Sequence, residues 1–259
     1  MIDRRTATAA LLAGAATSLI GAGKALAQAR PLTPARNVVL VHGLYADGSC
    51  WLKVIPRLQQ AGLNVTSVQN PLRSLAEDCE FARRALTRQT GPTVLVAHSY
   101  GGEIITQIGG DLKVSALVYC AARAPDANED YAALAKTYPT PPASAGLVHA
   151  GGYVQLSEEA FMRDFGGDLD PATARALYAV QGPCTESIFG DRVTQAAWRT
   201  KPCFYQVSTK DRTINPDLER FMAKRMKAKT IELPASHLGI ISHPREIADL
   251  ILEAAGRTA

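Results

Sequence analysis

The sequence predicts an α/β protein with a doubly wound, mostly parallel sheet and a mainly helical lid insertion. Three observations predict this architecture. Short apolar runs alternate with helical patterns along most of the 259 residues, as in repeated strand–helix units. The alternation lapses once, between about residues 124 and 200. Finally, a serine lies where a predicted strand runs into a predicted helix, with small residues two positions before and two positions after it, in the segment Ala97-His98-Ser99-Tyr100-Gly101.

The first half of the chain contains four predicted strands. Apolar runs at 37–41, 64–68, 93–96 and 114–120 are typical of parallel strands that are covered on both faces. Helices are expected after the first three of them, over about 51–60, 74–86 and from Gly101 to Gly109-Gly110. Ser74 and Glu77 have the spacing of a capping box, which supports the start of the second helix.

The second half begins with the lid and then returns to the alternating pattern. Gly151-Gly152 lies between two short β-prone runs and predicts a hairpin. Ser157 and Asp170-Pro171 are expected to begin lid helices that run to about 165 and 180. The remaining elements are predicted to be a strand at 203–207, a helix at 216–226, a strand at 230–233 and a helix at 244–255.

The first 29 residues read as an export signal rather than as part of the core. Arg4-Arg5 precede a weakly apolar run, and the small-residue sites Ala25-Leu26-Ala27 and Ala27-Gln28-Ala29 follow it. Paired arginines resemble a twin-arginine signal. We therefore expect an exported protein, periplasmic or secreted, in which residues 30–259 form a single domain without stable membrane insertion after the signal is removed.

Composition excludes several classes of partner and cofactor. The signal carries three cations and one carboxylate, so the formal net charge falls from +4 to +2 on its removal. No basic run indicates a nucleic-acid partner, and no CxxC pair indicates a zinc site. We expect a small-molecule substrate, no metal and no organic cofactor, and the sequence carries no indication of oligomeric state.

The five cysteines are treated as small apolar core residues by default. Cys120 ends one predicted strand and Cys203 begins another, so on parallel neighbours they lie on the order of 13 Å apart, beyond disulfide reach. Cys50 and Cys79 begin helices near the same edge of the sheet, which leaves a disulfide between them conceivable.

Residues that could take part in catalysis follow four of the predicted strands. Ligands bind at the carboxyl ends of the strands in such sheets. His42-Gly43-Leu44, Ser99-Tyr100, Thr209-Lys210-Asp211 and Ser236-His237 all come at those ends. The order serine, acid, histidine is the order expected for a nucleophile on a strand-to-helix elbow.

These segments resemble the α/β-hydrolase family, over roughly residues 37–255. The chain is most similar to the small lidded group that contains plant methyl-ester esterases and hydroxynitrile lyases. The matching motifs are His42-Gly43 with Asp47-Gly48-Ser49-Cys50-Trp51, the elbow His98-Ser99-Tyr100-Gly101-Gly102, and Ser236-His237-Leu238. The lipase-type triple-glycine loop is absent, so Leu44 is the inferred oxyanion donor beside Tyr100.

The resemblance implies acyl transfer by a serine nucleophile. Ser99 is the expected nucleophile, His237 the base and Asp211 the acid that orients it, with the Leu44 and Tyr100 amides as the oxyanion hole. The expected activity is hydrolysis of small apolar or aromatic esters or lactones. A lyase, a perhydrolase, a carbon–carbon hydrolase or a non-catalytic ligand-binding protein is the alternative.

Other residues compete for two of these roles. His42, His98, His149 and His243 are the alternative bases, although Ser242 or His243 is expected to cap the last helix. Asp126 follows the fourth strand and is the alternative acid. Asp217 and Glu219 lie at a helix start, where acids favour the helix dipole. The lid aromatics are candidates either for a pocket wall or for ordinary packing: Tyr131, Tyr138, Tyr153, Phe161, Phe165, Tyr178 and Phe189.

Overall fold

A parallel sheet lies at the centre of the part of the protein that the structure describes. The computed structural model describes residues 32–257, and within them the strands are β1 (Asn37–Val41), β2 (Asn64–Ser67), β3 (Thr93–His98), β4 (Val114–Cys120), β5 (Leu147–Ala150), β6 (Tyr153–Leu156), β7 (Cys184–Thr185), β8 (Cys203–Ser208) and β9 (Lys229–Leu233). Six strands form the main sheet in the order β2-β1-β3-β4-β8-β9, and every neighbouring pair is parallel. The predicted fold class is confirmed.

Helices connect these strands. In the same residues they are α1 (Ile55–Gln60), α2 (Leu75–Thr87), α3 (Gly101–Ile108), α4 (Tyr131–Ala135), α5 (Glu158–Ala160), α6 (Pro171–Ala179), α7 (Pro216–Arg225), α8 (Gly239–Ser242) and α9 (Pro244–Ala254). Ser74 caps α2 by accepting a hydrogen bond from the Glu77 amide, as its sequence predicts.

Burial in the sheet follows the apolar patterns of the strands. All residues of β1, β3 and β8 are buried, whereas the edge strands β2 and β9 are largely half-buried or exposed. The connection order reverses between β1 and β3, because β2 pairs on one side of β1 and β3 on the other. Such a reversal opens a crevice at the carboxyl ends of the two strands, where His42 and Ser99 follow β1 and β3.

One predicted helix start and one predicted side-chain cap are wrong. The helix expected over 51–60 begins only at Ile55, after a 3-10 turn at Gly48–Trp51. Pro56 explains the late start, since proline has no amide hydrogen and fits only the first turn of a helix. His243 occupies the N-cap position of α9, but no side chain there makes a capping hydrogen bond.

The lid contains the predicted hairpin and helices with two differences. Strands β5 and β6 pair antiparallel around Gly151-Gly152, and the two-residue β7 adds a third strand that the sequence did not predict. The helix expected over 157–165 is α-helical only in α5 and continues as a π-helical turn over Phe161–Phe165. Phe165, at the end of this turn, packs against the rings of His98 and His237.

All five cysteines are free and buried, so the conceivable bond between Cys50 and Cys79 does not form. Cys203 pairs in register with Leu117, three residues before Cys120, as the strand prediction requires. The expected export signal lies outside the described residues. Among residues 32–257, no helix is long and apolar enough to span a membrane.

Candidate active site

Ser99 stands on a tight turn between β3 and α3. Its φ of +54° is in the left-handed region, which non-glycine residues adopt rarely and often at functional sites. Only 5% of the residue is exposed, and it lines a cavity between the sheet and the lid. The predicted nucleophile elbow is therefore present as a local conformation.

Two glycines allow neighbouring backbone segments to approach this turn. A Cβ on Gly43 would lie 2.5 Å from the Ser99 Cβ, and a Cβ on Gly102 would lie 2.0 Å from the Arg123 carbonyl oxygen. Neither distance is compatible with a side chain. The elbow therefore depends on glycine both in the loop after β1 and in the first turn of α3.

The amides of Leu44 and Tyr100 are both available to a ligand. Neither of them donates a hydrogen bond to any acceptor within residues 32–257. Leu44 lines the same cavity as Ser99, and Tyr100 follows Ser99 directly. The Tyr100 side chain points away from this role: it is fully buried, and its hydroxyl donates to Asp78 Oδ2 at 2.8 Å.

His237 and Asp211 form a buried pair, as the sequence predicts. His237 Nδ1 lies 2.5 Å from Asp211 Oδ2, and neither side chain is exposed. An ionised carboxylate can only accept, so Nδ1 carries the proton and Nε2 is left as an acceptor. His237 Nε2 is buried and has no hydrogen-bond partner within the described residues. This is the tautomer that a general base for a serine hydroxyl requires.

His98 and Phe165 hold the His237 ring. The ring centroids of His98 and Phe165 lie 4.6 Å and 5.0 Å from that of His237. His98 Nε2 also donates to the His237 carbonyl oxygen at 2.9 Å. Burial, with a contribution from His237, lowers the pKa of His98 and keeps it neutral. His98, which directly precedes Ser99, is therefore hydrogen-bonded to the loop that carries His237. It is not the histidine that is paired with Asp211.

The other three histidines occupy different environments. His42 Nε2 accepts from the Asn70 amide at 2.9 Å, and burial lowers the pKa of this side chain. His149 is exposed in the lid beside Glu186, and His243 Nδ1 lies 2.8 Å from the Ser242 hydroxyl. None of them contacts Asp211.

Asp211 is held by main-chain donors and by a buried acid. Its Oδ1 accepts from the Thr213 and Ile214 amides at 2.6 and 2.9 Å. Glu219 of α7 is completely buried, and its Oε2 accepts from the Ser208 amide at 3.1 Å. Burial, reinforced by the nearby Asp211 charge, raises the pKa of Glu219 well above its usual range. The carboxylate that contacts the imidazole is that of Asp211.

Asp126, the alternative acid, is engaged at the surface. It forms a two-point ion pair with Arg199, whose Nε lies 2.9 Å from Asp126 Oδ1, and this hydrogen bond lowers the pKa of Asp126. The carboxylate paired with His237 is Asp211.

The cavity beside Ser99 has a volume of about 460 Å³ and is mostly apolar. Its apolar wall comes from both the sheet side and the lid: Leu44, Tyr45, Tyr131, Ala132, Ala135, Pro141, Leu147, Phe189, Ile214 and Leu218. Tyr131 and Phe189 are the lid aromatics that line it. A groove of about 540 Å³ between β9 and α9 contains none of the predicted site residues.

Arg123 is a cavity residue that the sequence interpretation missed. It follows β4, and its amide donates to the Ser99 carbonyl oxygen at 3.0 Å. Its Nη1 donates to the buried Glu103 at 3.1 Å. The position after a strand of the sheet was the available signal for Arg123. For Glu219 the signal was the apolar stripe of α7, with Leu218 and Met222 on either side.

No group of three or more histidine, cysteine or acidic residues is arranged to bind a metal within residues 32–257.

The fold and the site geometry identify the class of protein. A family model described as the alpha/beta hydrolase family matches residues 38–250. The chain therefore belongs to the α/β-hydrolase family, and the hydrolase class expected from the sequence is confirmed at this level.

Individual relatives agree with the sequence resemblance. Methylesterase 4 of Arabidopsis thaliana is 25% identical over 258 residues, which cover 86% of this chain and 98% of that protein. A pyrethroid hydrolase from Sphingobium faniae JZ-2 superposes with a TM-score of 0.71 at 21% identity, over 85% of this chain and 97% of the other. A methylesterase from Arabidopsis superposes with a TM-score of 0.69 at 19% identity, over 86% and 99%. The predicted similarity to plant methylesterases is confirmed.

Proposed function

We propose that the protein is a serine carboxylic-ester hydrolase that cleaves small, largely apolar or aromatic esters or lactones through an acyl-enzyme. The observation that carries the proposal is the buried His237–Asp211 pair, in which His237 Nε2 has no hydrogen-bond partner within residues 32–257. The pair and the Ser99 elbow follow strands of the same parallel sheet and therefore lie at the same edge of it. Relatives named as methylesterases and a pyrethroid hydrolase support ester cleavage as the reaction.

The proposed reaction has two steps. His237 Nε2 removes the proton of the Ser99 hydroxyl as Oγ attacks the ester carbonyl, and the proton then passes to the departing alcohol. The Leu44 and Tyr100 amides stabilise the oxyanion, each by about 3 kcal/mol of transition-state stabilisation. Water, deprotonated by His237, then attacks the acyl-enzyme and releases the acid and the free serine.

Labelling with a fluorophosphonate tests this proposal. The reagent is expected to modify the folded protein at Ser99 only, because attack on phosphorus requires a serine with a base beside it. Peptide mass spectrometry identifies the site, and heat-denatured protein serves as the control. Modification of another residue would refute the assignment. A folded protein that binds aryl esters but neither hydrolyses them nor reacts with the fluorophosphonate would favour the ligand-binding alternative.

We also propose that residues 1–29 direct export. They begin with charged residues, continue with an apolar segment and end at small residues typical of a cleavage site. The mature protein is expected to begin near Gln28 or Arg30 and to be found outside the cytoplasm. The intact mass of the protein purified from its native host checks this prediction, and retention of residues 1–27 would contradict it. If the twin-arginine route is used, replacing Arg4 and Arg5 together with lysine is expected to block export.

A further inference from the structure

The charged groups that line the cavity are all cationic. Arg123 and Lys136 are among its lining residues, and no aspartate or glutamate is. A neutral ester needs no such groups, and a largely buried cation such as Arg123 is costly unless it serves a ligand or has a partner. The role of the two cations therefore depends on how each of them is compensated.

Arg123 is held rigidly beside the nucleophile. Its amide donates to the Ser99 carbonyl oxygen, its Nη1 donates to Glu103, and its guanidinium lies 4.8 Å from the centroid of the Tyr131 ring. Only 17% of the side chain is exposed. A guanidinium fixed on two sides loses little rotamer freedom when it binds an anion, which favours binding.

The guanidinium retains unused hydrogen-bonding capacity. It carries five N–H groups, and within residues 32–257 the only hydrogen bond donated by its side chain is the one to Glu103. The Nε atom is buried and has no partner in the same residues. Burial lowers the pKa of Arg123, but the Glu103 carboxylate together with Tyr131 and Tyr45 raises it overall, so the group stays cationic.

Lys136 adds a second positive charge at the lid side of the cavity. It follows α4, is exposed, and forms no ion pair within 4.0 Å among the described residues. Glu103 balances the charge of Arg123 from the buried side of α3. The carboxylate that interacts with Lys136 is that of Asp130, which is itself paired with Arg192 at 2.7 Å. A positive charge at the edge of a low-dielectric cavity attracts anionic ligands and raises their rate of association.

We propose that the substrate of this site is an ester that carries a carboxylate, which Arg123 binds while Lys136 attracts it to the cavity. This inference rests on the proposed ester hydrolase function and narrows its substrate class. The apolar wall accommodates the carbon skeleton of the substrate, and the anionic group determines its orientation relative to Ser99.

Two matched pairs of esters test the inference. In the first pair, the monomethyl ester of a six-carbon dicarboxylic acid is compared with the same methyl ester bearing a terminal primary amide. In the second, the acetate ester of 4-hydroxybutanoate is compared with the acetate ester of its amide, which moves the anion to the leaving alcohol. Carboxylate and amide have similar size, so each comparison isolates charge. Each kcat/KM is normalised to the alkaline hydrolysis rate of the same ester.

The carboxylate member of at least one pair is expected to have a kcat/KM about tenfold higher or more at low ionic strength, the scale of a hydrogen bond to a charged group. The preference is expected to fall as salt is added, because the contribution of the exposed Lys136 is screened. Equal or slower hydrolysis of the carboxylate member in both pairs would overturn the inference.

Variants of Arg123 and Lys136 test whether these residues cause the preference for the carboxylate ester. Arg123→Met combined with Glu103→Gln removes the buried pair together, which avoids leaving one charge uncompensated. The carboxylate-to-amide ratio is expected to fall to near one in this double variant and partly in Lys136→Gln. Lys224→Gln, which alters an exposed lysine near the end of α7 outside the cavity, is the matched control and is expected to keep the ratio. A ratio unchanged in both cavity variants would refute the assignment.

Failure of the two proposals gives different results. If neither pair is hydrolysed and the fluorophosphonate leaves Ser99 unmodified, the ester hydrolase proposal fails, and this inference fails with it. If the amide esters are hydrolysed at least as fast as their carboxylate partners, the function stands and the anionic substrate class is wrong. Circular dichroism verifies that the double variant is folded. If the double variant does not fold, Lys136→Gln and the salt series still test the effect of charge.

Discussion

Ser99→Ala is expected to reduce ester hydrolysis by roughly 10⁴-fold or more, with little change in the free energy of unfolding. Without the hydroxyl no acyl-enzyme forms, and only oxyanion stabilisation and binding remain. The stability is expected to stay within about 1 kcal/mol, because the Ser99 side chain makes no hydrogen bond within residues 32–257. Alanine also meets the same backbone cost at a φ of +54° as serine does.

Ser115→Ala is the matched control for this prediction. Ser115 lies on β4, and its hydroxyl donates to the Thr93 carbonyl oxygen at 3.3 Å, away from the cavity. Its activity is expected to equal that of the unmodified protein. Initial rates on one aryl ester and thermal melting of all three proteins provide the measurements. A Ser99→Ala protein with near-normal turnover would mean that another group is the nucleophile.

The main sheet was predictable because its signals are local. The strand expected over 114–120 is observed with the same bounds, since a continuous apolar run can be buried only inside the sheet. The two-residue β7 has no such signal. It forms only because Val154 of β6 lies opposite Cys184 and offers a free edge. Pairing between residues thirty positions apart cannot be inferred from the pattern around either of them.

The site was predictable to the extent that it depends on position in the fold. Ser99, Asp211 and His237 follow three parallel strands, so their meeting at one edge follows from the sheet alone. Glu219 was interpreted as a helix-start acid. The apolar stripe of α7 indicates that Glu219 is buried, but its position beside Asp211 depends on how α7 packs on β8, which no local pattern contains.

Arg123 was missed for a related reason. An arginine after a strand looks like an ordinary surface residue until a partner is found, and its partner Glu103 lies on a different element of the sheet's carboxyl edge. Glu103 lies on the otherwise apolar α3, and no local pattern pairs it with an arginine twenty residues later. The ion pair and the cavity appear only when β4, α3 and the lid are assembled.

His237→Ala and His243→Ala are expected to have opposite effects, although the two residues lie only six positions apart. In His237→Ala, Ser99 loses its base, and turnover is expected to fall by several orders of magnitude. Removing the imidazole also leaves Asp211 as a buried carboxylate without its ring partner, so the melting temperature is expected to fall as well.

His243→Ala is expected to retain nearly normal turnover. His243 is half-buried and caps α9 with its backbone only, so its loss is expected to change stability by about 0.5 kcal/mol or less. Purified variants assayed on one aryl ester, with melting followed in parallel, test both expectations. To separate the lost base from a general loss of fold, His237→Gln is measured beside His237→Ala, since it fills the space without supplying a base and is expected to be equally inactive. Should His243→Ala be the inactive protein and His237→Ala nearly normal, the base is His243 and the loop after β9 does not serve Ser99.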